Sequence, residues 1–89
     1  MSFKQFVGEK IVKPLEFPQE LVFPKVTVLS DKEITVENYK GIIEYEENLL
    51  RINTEVFIIK IEGAGLLIKN INDDELIING RVKNIEFLY

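Results

Sequence analysis

The sequence predicts a mainly β domain: a small sandwich or roll of about eight short, mostly antiparallel strands with a short N-terminal helix. Three observations point there. Alanine, the best helix former, occurs once, at Ala64, whereas Ile, Val and Thr together number 24; β-branched side chains favour strands. From Pro24 onward, short apolar runs alternate with polar punctuation, their centres stepping by about 8 residues from the second run on. Asn79-Gly80 supplies two neighbours that tolerate positive φ, as a type I′ hairpin turn requires.

Residues 1–13 differ from the rest. Phe3, Phe6, Val7 and Ile11 recur with a helical period, Ser2 is placed to cap, and Pro14 ends the segment. Lys4, Lys10 and Lys13 against Glu9 give this segment a charge of +2, while residues 14–89 carry −6. Three readings stay open: an amphipathic helix packed on the sheet, a basic helix lying on an anionic membrane, or a disordered arm. Residues 14–24 hold Pro14, Pro18 and Pro24 and read as a linker. Its Leu15, Phe17, Leu21, Val22 and Phe23 want cover, so the linker is expected to drape over the β domain of residues 25–89.

The expected strands are Lys25–Leu29, Glu33–Glu37, Gly41–Tyr45, Leu49–Asn53, Val56–Glu62, Leu66–Ile71, Glu75–Ile78 and Val82–Leu88. Turns are expected at Ser30-Asp31-Lys32, Glu46-Glu47-Asn48, Gly63-Ala64-Gly65, Asn72-Asp73-Asp74 and Asn79-Gly80. The Asn-Gly turn would pair Glu75–Ile78 with Arg81–Leu88. Alternation assigns Ile34, Val36, Ile43, Tyr45, Leu50, Ile52, Phe57, Ile59, Ile61, Leu66, Ile68, Leu76, Ile78, Ile85 and Phe87 to the core. A second apolar set points the other way: Ile42, Val56, Ile58, Leu67, Ile71, Ile77, Val82 and Leu88. Leaving eight aliphatic side chains wet would forgo on the order of 10 kcal/mol, comparable to a small domain's whole stability. Intramolecular cover or a homo- or hetero-interface is therefore expected there, with Ile42, Val56, Ile58, Leu67 and Ile77 as the candidate interface. A short β-solenoid of stacked parallel strands, able to polymerise end to end, is the architectural alternative.

The 89 residues suit one domain with a small core. Cys, His and Trp are absent. This removes disulfides, thiol nucleophiles, Cys/His zinc sites and histidine-based triads. The net charge of −4 disfavours nucleic acid as a partner. No run approaches the ~20 apolar residues of a spanning helix, and residues 1–17 lack a signal peptide's apolar stretch, so a cytoplasmic location is expected.

Candidate chemistry is thin. Glu44, Glu46 and Glu47 near a strand end read as a solvated rim rather than an acid/base pair. Asp73, Asp74 and Glu75 lack the ligand spacing of a calcium loop. Gly63-Ala64-Gly65 lacks the spacing of a phosphate-binding loop. Ser2, Ser30, Thr27, Thr35 and Thr54 have no histidine to activate them, and Lys60 and Lys69 read as exposed strand lysines. No catalytic, metal or cofactor-binding residue is assigned.

The order of residues is more telling than any single motif. Phe17-Pro18-Gln19-Glu20, Phe23 to Val28, and Ile34-Thr35-Val36-Glu37-Asn38-Tyr39-Lys40-Gly41-Ile42 occur in sequence. They are followed by Leu50 to Thr54, Ile59 to Gly63, Leu66 to Ile68, and Ile78-Asn79-Gly80 to Phe87. Over about residues 15–88 this resembles the YabP/YqfC family of bacterial sporulation proteins, nearer its YqfC branch. The chain departs from the family near Ser30-Asp31 and Val56-Phe57, where glycines are common. The resemblance implies an endospore-forming host and expression in the mother cell. It also implies a non-enzymatic adaptor or scaffold role in spore envelope (cortex or coat) formation. Partners would be other sporulation proteins, a membrane protein among the candidates, or a second copy, with peripheral association at the forespore membrane as an alternative location. The most distinctive run, Glu37-Asn38-Tyr39-Lys40-Gly41, is expected to be a strand end entering a turn. Gly41 would permit the reversal, and Tyr39 and Lys40 would project as a partner contact.

Overall fold

A computed structural model describes residues 23–89. The expectations for residues 1–13 and for most of the 14–24 linker lie outside the described residues. Six strands form a single open sheet: β1 Lys25–Leu29, β2 Glu33–Glu37, β3 Tyr39–Glu46, β4 Leu49–Thr54, β5 Ile58–Ile71 and β6 Glu75–Leu88. Their order is β1-β2-β6-β5-β4-β3, and every neighbouring pair is antiparallel. No helix occurs among the described residues. The all-β reading holds; the parallel solenoid does not.

Eight expected strands become six because two expected turns are bends inside long strands. Gly63-Ala64-Gly65 lies within β5, and Asn79-Gly80 lies within β6. Glu75–Ile78 and Arg81–Leu88 are therefore successive halves of one strand, not a hairpin; both pair with β5. Gly80 does take a positive φ, 144°, but the rotation bends the strand instead of reversing it. Neighbouring elements hold the bend open. The Lys32 and Asp31 carbonyls accept hydrogen bonds from Gly80 N and Val82 N, at 3.1 and 2.8 Å. On the other strand Asn48 O and Glu47 O accept from Gly63 N and Leu66 N, at 3.1 and 2.7 Å.

The bent β5–β6 ribbon carries β2 and β1 on its first half of β6, and β4 and β3 on its first half of β5. Ile34, Val36, Leu76 and Ile78 come from one side of the bend, Leu50, Ile52, Ile59 and Ile61 from the other, and Leu66 from the bend itself. All nine form one buried cluster, so the sheet folds over its own core. Each such side chain contributes on the order of 1.5–3 kcal/mol by leaving water.

Three residues expected in the core, Ile43, Tyr45 and Phe87, are exposed. In β3 the cause is local. The register skips Lys40 and Ile43, two bulges that each insert an unpaired residue. Tyr39, Ile42 and Tyr45, spaced by three, then face Thr54, Ile52 and Leu50 on β4. Ile42 packs against the core and Ile43 is displaced to 47% exposure.

Candidate functional site

The Glu37–Gly41 run sits where the two halves of the folded sheet meet. Glu37 ends β2, between Lys25 and Glu75. Asn38 makes the reversal, with φ 62°, a conformation that Asn adopts more readily than most residues. Gly41 is an interior β3 position without positive φ, so the expected reversal at Gly41 is corrected to Asn38. Asn38 N donates to Asp74 O at 3.1 Å, and Asn38 Nδ2 donates to Phe23 O at 3.0 Å. The Tyr39 hydroxyl donates to Asn72 O at 2.5 Å. Asn72 Oδ1 in turn accepts from Asp74 N and Glu75 N, both at 2.9 Å, shaping the β5–β6 turn. Glu37, Asn38 and Tyr39 thus clasp that turn, while Lys40 bulges into solvent.

Burial raises the Tyr39 hydroxyl's pKa above its ordinary 10.0, and the nearby Asp73 and Asp74 carboxylates add to the effect. The fold therefore favours the neutral phenol. Its contribution to stability is complete below about pH 10 and is lost as pH rises past the folded-state value. Urea midpoints followed from about pH 9 to 11 should fall more steeply for the native chain than for Tyr39→Phe. Parallel curves would remove Tyr39 from the alkaline response.

Lys40 Nζ lies 3.3 Å from Glu55 Oε1, beside a compact β4–β5 connection. Thr54 Oγ1 accepts from Val56 N and Phe57 N, at 3.2 and 3.0 Å, and donates to Phe57 O at 2.6 Å. These bonds fix the loop and present Val56 to solvent at 42% exposure. Ile58 pairs with Leu88 across the strands. Phe57 meets Phe87 at a tilt of 60° and Tyr89 edge-to-face at 85°, with centroid distances of 4.9 and 5.6 Å. A shallow cleft of about 220 Å³ runs between Asn53–Ile58 and Leu88–Tyr89. Val56, Ile58, Leu88 and Tyr89 therefore form an apolar shelf rimmed by the Lys40–Glu55 pair. Sequence alternation marked Val56, Ile58 and Leu88 but gave no sign that they meet Lys40 and Tyr89.

The five residues of the second apolar face separate into three places. Val56 and Ile58 belong to the shelf. Leu67 and Ile77 lie on the outer face across the bend, diagonal to each other through the Leu67–Asn79 and Asn70–Ile77 pairs. Ile42 packs on the core.

Groups weighed for chemistry are engaged otherwise. Glu44, Arg51, Lys60 and Glu86 form one row across four strands. Glu44 and Arg51 lie 3.6 Å apart, and Lys60 lies 3.7 Å from Glu86 and 3.8 Å from Glu62. Exposed pairs of this kind contribute little stability but keep the outer face wet. Among the described residues, no three carboxylates converge to hold a metal ion.

A family model, the YabP family, matches residues 23–89, which is the whole described β body. The uncharacterised protein YqfC of Bacillus subtilis (strain 168) is 24% identical over 80 residues, covering 88% of this chain and 86% of that protein. No solved structure is significantly similar. The clasp, the alternating core and the bend all fall inside the matched region, and the chain belongs to the YabP family, a family of sporulation proteins.

Proposed function

We propose that the protein is a non-enzymatic adaptor in spore envelope formation, cortex or coat. It works in the mother-cell cytoplasm, peripherally at the forespore membrane, by binding another sporulation protein. The observation that carries this reading is the shelf of Val56, Ile58, Leu88 and Tyr89 beside Lys40. A fixed loop and a two-stranded register hold it, and Tyr89 is 94% exposed. An apolar centre with an aromatic residue and a polar rim suits protein association. The partner thus meets Lys40 from the Glu37–Gly41 run, while Glu37, Asn38, Tyr39 and Gly41 hold Lys40 in place. The family supports a role in sporulation, and the charge of −4 supports a protein partner over nucleic acid.

Photo-crosslinkable residues introduced singly at Val56, at Tyr89 and, as a control, at Thr27 test this in sporulating cells. The expected result is one shared adduct from positions 56 and 89 that is absent from position 27. An adduct of the chain's own mass would make the partner a second copy. Equal labelling from all three positions would reject the shelf.

A further inference from the structure

Strand borders with unpaired backbone groups invite another strand, and three borders of this sheet carry a guard. β1 is only five residues long and starts directly after Pro24. β3 is broken by its bulges at Lys40 and Ile43. The second half of β5 is capped: Leu66 N donates to Glu47 O, Ile68 N donates to Tyr45 Oη at 3.0 Å, and Asn72 O accepts from the Tyr39 hydroxyl. The fourth border is the side of β6 that continues past β2, and it has no such device.

β2 pairs with β6 only as far as Asn79. Val82 N then bonds Asp31 O at 2.8 Å, so the backbone groups of Val82 face that side. Strand alternation turns those of Asn84, Glu86 and Leu88 the same way. Among the described residues, none of these three has a backbone partner there. From Asn84 to Leu88 the pairing with β5 runs without a bulge. Lys83, Asn84, Glu86, Phe87 and Leu88 are all exposed.

We propose that this border pairs with the same border of a second copy, β6 antiparallel to β6, about a two-fold axis at Ile85. The residues of the border select this occupant. A two-fold axis perpendicular to the sheet keeps both faces continuous, and it can centre on Asn84, Ile85 or Glu86. With Ile85 on the axis, Ile85 meets Ile85 and Val82 meets Leu88. Asn84 meets Glu86, amide against carboxylate, and the Lys83 stem meets the Phe87 ring. Each Asn84–Glu86 pair exchanges both of its backbone hydrogen bonds. Centred on Glu86, two carboxylates would face each other. Centred on Asn84, Val82 would face Glu86 and Ile85 would face Lys83. Ile85 and Phe87 pair with buried Ile61 and Ile59, so they lie on the core side, and the favoured register gives Phe87, 45% exposed, a neighbour there. This pairing goes beyond the shelf and does not depend on what the shelf binds.

The purified full-length chain tests it without any other protein. It should sediment near twice its 10.3 kDa mass. Glu86→Pro removes an N–H that faces the border and not β5, so it should give a monomer that keeps the amide dispersion of the β body. The chain has no cysteine, so single thiols read the register with the strand intact. In Ile85→Cys the two thiols face each other across a Cα separation of about 4.5 Å, within reach of a disulfide. In Asn84→Cys they stand about 8 Å apart, beyond that reach. Under mild oxidation Ile85→Cys should form covalent dimer at least tenfold faster than Asn84→Cys, although position 84 is the more exposed. A monomeric native chain would overturn the proposal. So would an unchanged dimer in folded Glu86→Pro, or equal cross-linking from the two thiols.

Discussion

Gly63→Ala should cost the protein about 3 kcal/mol or more, a large part of the stability of a domain this small. A Cβ at Gly63 would stand 2.0 Å from the Arg81 carbonyl oxygen and 3.0 Å from its carbon. Both are backbone atoms of the paired strand, so no side chain can move aside. Gly80→Ala should act similarly. Its Cβ would lie 2.7 Å from Gly65 O and 2.9 Å from the Leu66 Cα, at a φ of +144° that L side chains rarely adopt. The two ribbon strands cross this closely because the core needs both halves of the sheet over the same nine side chains. Gly41→Ala is the control. Nothing lies within 4 Å of its Cβ and its φ is not positive, so the change should stay within about 1 kcal/mol. Urea midpoints of the three variants check the order. Gly63→Ala and Gly41→Ala of equal stability would mean that the ribbon does not bend there.

Much of this fold was legible in the sequence, and the misses have local causes. Period-2 alternation marked Ile34, Val36, Leu50, Ile52, Ile59, Ile61, Leu66, Leu76 and Ile78, because burial on one face of a sheet imposes that period directly. It failed at Ile42 and Ile43, where two bulges convert the period to three without changing composition. Gly63-Ala64-Gly65 and Asn79-Gly80 were legible as places where the backbone turns. Whether a glycine reverses a strand or bends it depends on partners distant in sequence, here the Asp31, Lys32, Glu47 and Asn48 carbonyls. Asn38 carried the positive φ that Gly41 was expected to carry; either residue suits a turn, and only the β5–β6 hairpin's position decides. The shelf was legible in its members and not in its assembly, since Val56 and Leu88 meet through the Ile58–Leu88 register.

The second large effect is on sporulation. Val56→Glu with Leu88→Glu places two carboxylates on the shelf at positions that are 42% and 37% exposed. Both side chains are more than half covered, so the changes should cost on the order of 1 kcal/mol each and lower the thermal midpoint by several degrees while the β body stays folded. Binding should suffer far more, because a partner would have to desolvate two unpaired charges. The exposed, solvent-screened Lys40–Glu55 pair already balances its own charge, so the two added carboxylates leave the shelf with a net negative charge.

Counting heat-resistant spores from a strain that lacks the chain, and from the same strain carrying the intact or the doubly substituted chain, sets contact against chemistry most directly. The intact chain should restore spore yield, and Val56→Glu/Leu88→Glu, folded and equally abundant in the cell, should leave it at the level of the deletion. Full restoration by the double variant would contradict the account, as would a deletion strain whose spores are normal.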